Sequence, residues 1–100
     1  MLIWICVDSQ NGNSSKITKV IDAKYWALVN FDAGTVKEIT FYDKREDFMD
    51  WVDFIIMKDK YESYMDFMNE GMMVLCVREE ETIEEIMEAF TFKELDEVGF

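Results

Sequence analysis

Lys16, Lys19, Lys58 and Lys60 fall in two short polar segments, each following an apolar run, and they are four of only ten basic residues in the chain. Ammonium groups gathered at one mouth would hold an anion, such as an organic acid. Asp8, Ser9, Ser15 and Asp59 lie beside them in the sequence and complete a candidate ligand site. In open α/β sheets ligands bind beyond the carboxyl ends of the strands, so the loops after the first and fourth strands are the expected walls.

Other chemistries have fewer candidates. There is no His, so Ser-His-Asp and Cys-His groups and imidazole metal ligands do not exist. Metal-dependent phosphodiester chemistry needs several carboxylates around divalent ions. Asp8, Asp32, Asp43 and Asp53 stand at element ends, where turn and cap roles account for the first three. The acidic run Glu79-Glu80-Glu81 with Glu84, Glu85 and Glu88 reads as a solvated helix start, with a basic partner or divalent cations as the other use. The two cysteines, Cys6 and Cys76, sit in apolar runs without a CxxC pattern and read as buried thiols. No nucleophile–base pair can be named, so no enzymatic activity is expected.

Charge narrows the partners. With 22 acidic and 10 basic residues the net charge is −12. Such a surface repels phosphate backbones and anionic membranes, so neither nucleic acid nor membrane is an expected partner. The N-terminal apolar run ends at Asp8, too short for a signal-peptide core or a membrane span, which suits a cytoplasmic protein. At 100 residues, half of them hydrophobic, the chain is read as one domain with a packed core.

Hydrophobic periodicity supplies the elements that position these residues. Leu2–Val7 is a continuous apolar run, the pattern of a strand buried on both faces. Ile17, Val20 and Ile21 predict a short turn packed on the sheet. Residues 25–31 and 36–42 form a hairpin around Asp32-Ala33-Gly34-Thr35, and polar Lys37, Glu38 and Thr40 place its second strand near an edge. Three capping boxes follow, Asp43 with Glu46, Asp59 with Glu62 and Thr82 with Glu85, each predicting a helix start. The first helix would offer Phe48, Met49 and Val52, the second would bury Tyr61, Tyr64, Met65 and Met68, and the third Ile83, Ile86, Met87 and Phe90. Residues 54–57 and 72–77 read as central or parallel strands. Residues 92–100 read as a continuation of the last helix or a docked tail. The result is an α/β fold in which a mixed five-stranded sheet is the middle of three layers, in the order β-β-β-α-β-α-β-α. Trp51, Phe67 and Phe100 lie off the helical stripes and are candidates for a homodimer or partner interface, Phe67 above all.

This order resembles the nitrogenase accessory factor family, also called the dinitrogenase iron–molybdenum cofactor biosynthesis domain, from about residue 1 to residue 97. The resemblance is carried by Leu2–Asp8 with the Asn11-Gly12 loop and Ser15-Lys16-Ile17, by Ala23–Val29 with Asp32–Glu38, and by Asp53-Phe54-Ile55-Ile56. Gly71–Val77, Thr82–Ile86 and Phe90–Leu95 carry it to the close. It implies a three-layer domain with a ribonuclease H-like sheet, and a role in binding or carrying iron–molybdenum cofactor or its iron–sulfur precursors. The family's His-Phe-Gly-Arg motif is replaced here by Lys19-Val20-Ile21-Asp22, and its Gly-rich turn after the fourth strand by Met57-Lys58-Asp59-Lys60. Two readings follow: a small carrier of an anionic metallocluster or metabolite, or a degenerate member that works as a protein-interaction or regulatory module without cofactor.

Overall fold

The computed structural model describes residues 1–98. Phe100, expected at an interface, lies outside the described residues. The strands are β1 (Leu2–Val7), β2 (Tyr25–Asp32), β3 (Thr35–Tyr42), β4 (Phe54–Met57), β5 (Met73–Cys76) and β6 (Asp96–Glu97), and the helices are α1 (Met65–Asn69) and α2 (Ile83–Thr91). They form one sheet in the order β3-β2-β1-β4-β5-β6. β1 pairs antiparallel with β2 and parallel with β4, and β4 pairs parallel with β5. The mixed sheet expected from the sequence is therefore present, with β1 inside it and β3 at an edge.

Alternating side chains supply two cores. Ile3, Ile5, Val7, Ala27, Val29 and Ile56 face α2, which adds Ile83, Ile86, Met87 and Ala89. Trp4, Leu28, Ile55, Val74 and Cys76 face the other way, where Phe67 of α1 and Val52 cover them. Edge-on contacts of Trp4 with Trp26, Tyr42 and Phe48, at centroid distances of 5.6, 5.9 and 5.9 Å, knit this second core together.

Three expectations are corrected. The Asp43/Glu46 segment forms only a 3₁₀ turn at Arg45–Asp47. Asp43, Glu46, Asp47, Asp50 and Asp53 would stand three or four residues apart on a helix, and like charges at that spacing repel. The Asp59/Glu62 capping box does not form either. Asp59 Oδ1 accepts from Tyr61 N at 2.9 Å in a local turn, and Glu62 Oε2 accepts from Ile21 N at 3.2 Å. The helix starts six residues after Asp59, at Met65, and it buries Phe67. Tyr61 and Met65, expected inside, are 85% and 53% exposed. Only the Thr82/Glu85 box is built as expected, with Glu85 N donating to Thr82 Oγ1 and Thr82 N to Glu85 Oε1.

The third correction concerns the C-terminal segment, which adds a sixth strand where five were expected. Lys93 takes φ 58°, and Glu94 N donates to Ala89 O at 2.9 Å. This is the hydrogen bond of a Schellman stop, usually made with Gly at the left-handed position. The chain turns back, Leu95 and Val98 are buried, and β6 pairs antiparallel with β5.

Gly71 ends the α1 turn at φ 91°, and a Cβ built there would lie 2.5 Å from Trp51 Cη2. Gly71→Ala is expected to cost about 1–3 kcal/mol, mainly as backbone strain, with the Trp51 ring displaced. Urea unfolding midpoints and the Trp51 side-chain NMR signal check this; an unchanged midpoint would show that the positive φ is not required.

Candidate functional site

The loop after β1 is pinned. Asp8 N donates to Lys16 O, Thr18 N to Cys6 O, Ile17 N to Glu81 O, and Ile83 N to Ser15 O. Residues 15–18 thus bridge the end of β1 and the start of α2. Ser15 is fully buried, and its Oγ accepts from Asn11 N at 2.8 Å. Ser15, a candidate ligand-binding residue in the sequence, therefore has a structural role in holding the loop.

Between Ile17 and Val20 the chain crosses from one face of the sheet to the other, since Ile17 joins the α2 core and Val20 packs on the α1 core. This crossing divides the eight candidate site residues. Asp8, Lys16 and Lys58 meet in a cleft of about 390 Å³ at the carboxyl ends of β1 and β4, with Ile17 and Val77 also lining it. Lys19 and Asp59 line a separate hollow of about 590 Å³ and pair at 3.8 Å. Lys60 lies over the Tyr61 ring at 5.4 Å. Ser9 donates to Asp8 Oδ1 at 3.0 Å.

The wall opposite the lysines is the segment Arg78–Glu81. Sequence reading treated these acids as a helix start and did not place them beside Lys16. The pairing of Lys16 with Thr82 as an isolated bridge brings them there. The cleft is lined by three basic side chains, Lys16, Lys58 and Arg78, and by four acidic ones, Asp8, Glu79, Glu80 and Glu81. Several are already committed. Arg78 is tied to Asp96 at 2.9 Å, Glu80 Oε1 accepts from Arg78 N, and Asp8 Oδ1 accepts from Lys16 N. Lys16 and Lys58 have no ion-pair partner among the described residues.

Desolvation pushes the Asp8 carboxyl upward. The amide of Lys16, the Ser9 hydroxyl, its own amide and the Lys16 charge outweigh this and hold it below its ordinary 3.8. Both thiols are protonated. Burial raises Cys6 far above the thiol range, with Glu62 adding to the rise. Burial and the Asp59 and Asp96 charges raise Cys76, whose Sγ lies 3.3 Å from Val77 O. Burial and the raised pKa make both thiols weak nucleophiles. Among the described residues no three His, Cys, Asp or Glu side chains group as a metal site. Asp53, weighed as a metal-binding carboxylate, instead braces β1: Oδ2 accepts from Leu2 N at 2.8 Å and Oδ1 from Trp51 Nε1 at 3.0 Å. Of the interface candidates, Trp51 is 58% exposed, while Phe67 is buried at 6% beneath Arg45, whose guanidinium lies 4.9 Å from its ring.

Two outcomes follow. Ser15→Ala leaves the Asn11 N–H without its partner and is expected to cost about 1–3 kcal/mol, read in urea unfolding; a smaller loss would show that water replaces the hydroxyl. A depressed Asp8 stabilises the fold above its unfolded value, and that stabilisation is lost as pH falls through the lower folded value. The Lys16 amide proton should therefore titrate with a midpoint below 3.8 by NMR, and a midpoint at or above it would contradict this network.

No protein-family model matches the sequence, and no curated protein matches it. Solved structures do. The chain is similar to the crystal structure of a "putative dinitrogenase" from Methanocaldococcus jannaschii, at 20% identity over 99% of this chain and 95% of that one, with a TM-score of 0.73. The NMR structure of the same protein gives 21% identity, 100% and 94% coverage, and a TM-score of 0.77. A "putative NifB protein" from Thermotoga, solved by NMR, gives 18% identity, 99% and 95% coverage, and a TM-score of 0.69. At these identities the chain shares their fold, from end to end.

Proposed function

We propose that this chain is a small non-catalytic carrier domain that holds an anionic ligand, a metallocluster or an organic acid, at the carboxyl ends of β1 and β4. One observation carries the reading. Lys16 and Lys58 bring two ammonium groups, without ion-pair partners among the described residues, to one cleft. Two of the four acids lining the cleft accept from backbone amides, Asp8 from Lys16 N and Glu80 from Arg78 N. The shared fold supports the choice of cargo, since the names of two neighbours point to dinitrogenase and NifB. Both thiols are buried and the sequence has no His, so in this reading the grip rests on charge and hydrogen bonds from the lysines. Such a grip suits a carrier, because release needs no ligand exchange at a metal.

Native mass spectrometry of protein captured anaerobically from its own host tests this. The expected result is a bound mass, a cluster or a small anion, that is lost in the Lys16→Glu/Lys58→Glu double variant. Lys19, paired with Asp59 on the other face, should not matter, so Lys19→Glu should keep the bound mass. A bare chain in the wild type overturns the carrier reading.

A further inference from the structure

The sheet face opposite α2 is thinly covered. A helix of five residues and two 3₁₀ turns lie over it, and three hollows of about 590, 340 and 240 Å³ open between them. They are joined. The first and second share Val20, Asp66 and Phe67, and the second and third share Arg45 and Glu46. In a row they form an uneven trough across the face, with Arg45 as a ridge between the second and third.

Apolar side chains stand out at both ends of this trough. Ile21 and Tyr61 line the first hollow and are 86% and 85% exposed, and Met49 lines the third and is 89% exposed. Large side chains this exposed mark binding surfaces when they flank one groove. The rim is acidic. Seven carboxylates line the three hollows against three basic side chains, Lys19, Lys44 and Arg45. Lys19 and Arg45 are spent on Asp59 and Glu70. Asp43, Glu46, Asp50, Glu62 and Asp66 have no ion-pair partner among the described residues. Glu62 Oε1 is also buried with no hydrogen-bond partner among them, so a donor brought into the first hollow would satisfy it.

We propose that this trough is a docking site for a basic amphipathic segment of a partner protein. Its apolar side would sit over the hollows between Ile21 and Met49, and its Lys or Arg side chains would meet carboxylates that lack ion-pair partners among the described residues, Asp43, Glu46 and Asp66 first. A helix of about 15 residues is about 22 Å long, which fits a domain measuring 30 × 29 × 24 Å. A second copy of this chain is a poor occupant, since each copy carries −12 and would present the same acidic rim. The site is separate from the Lys16/Lys58 cleft, and it stands whether or not that cleft carries a ligand.

The test uses two labelled synthetic peptides of about 15 residues, with Leu at i, i+3, i+4 and i+7 and either Lys or Glu at the polar positions. Fluorescence anisotropy is read against the full chain at two salt concentrations. The Lys peptide should bind, more weakly at high salt, and the Glu peptide should not. Glu46→Lys/Asp66→Lys should weaken binding about tenfold or more, and Ile21→Ser/Tyr61→Ser should weaken it similarly. Phe92→Ser, outside the trough, should leave it unchanged. Failure of the Lys peptide to bind, equal binding of the Glu peptide, or equal binding to the trough variants would each overturn the proposal. So would a wild-type chain that sediments as a dimer through this face, restored to monomer by Ile21→Ser/Tyr61→Ser.

Discussion

Burial of β1 on both faces is the constraint on which the rest of the structure depends. Residues 3–7 are all within 2% of full burial, and the strand is hydrogen-bonded on both edges. A strand with no polar face has to be covered twice. That requirement produces two cores, α2 over one and the α1 side over the other, and the chain changes faces between Ile17 and Val20. Asp53 reinforces it, accepting from the Leu2 amide while its own amide donates to Leu2 O. The cleft and the trough are what the two coverings leave open: one at the end of β1, the other along its side.

The two coverings differ in kind. α2 is a nine-residue helix with a capping box, four buried side chains and a Schellman stop. The opposite layer is built from turns stitched by single contacts, such as Glu62 to Ile21 and Arg45 over Phe67. Turns carry less apolar surface per residue into the core than a regular helix face does. They leave hollows, and Asp43, Glu46 and Asp66 there have no ion-pair partner among the described residues. A helical side and a turn-built side on one small sheet would let the proposed ligand cleft and the proposed docking trough occupy different surfaces.

Much of this was legible in the sequence, for reasons specific to each element. β1, β4 and β5 were readable because uninterrupted apolar runs have few other places to go. α2 was readable because capping and periodicity agreed. The α1 side was not, since a cap signal at Asp59 was outcompeted by a contact from Glu62 to a residue 41 positions away. β6 was hidden because Lys93, not Gly, takes the positive φ that turns the chain. At the candidate cleft, Asp8, Lys16 and Lys58 were grouped from the sequence and meet in space. Lys19 was grouped with them but lies across the sheet, because spacing along a loop does not reveal which face it crosses to. Phe67 was misread for a related reason: its exposure depended on a helix phase that begins six residues later than the cap predicts.

β3, the eight-residue edge strand, has one further consequence. Its outer row of amide and carbonyl groups would template pairing with another chain, the usual route to ordered aggregates. The register shift between Asn30 and Phe31 skips Lys37, which bends the strand at its middle, and Lys37 and Glu38 stand exposed at the bend. A bent, charged edge offers an incoming strand only short stretches of matched ladder. Such an edge disfavours edge-to-edge pairing with another chain, at the cost of only one skipped residue in the ladder.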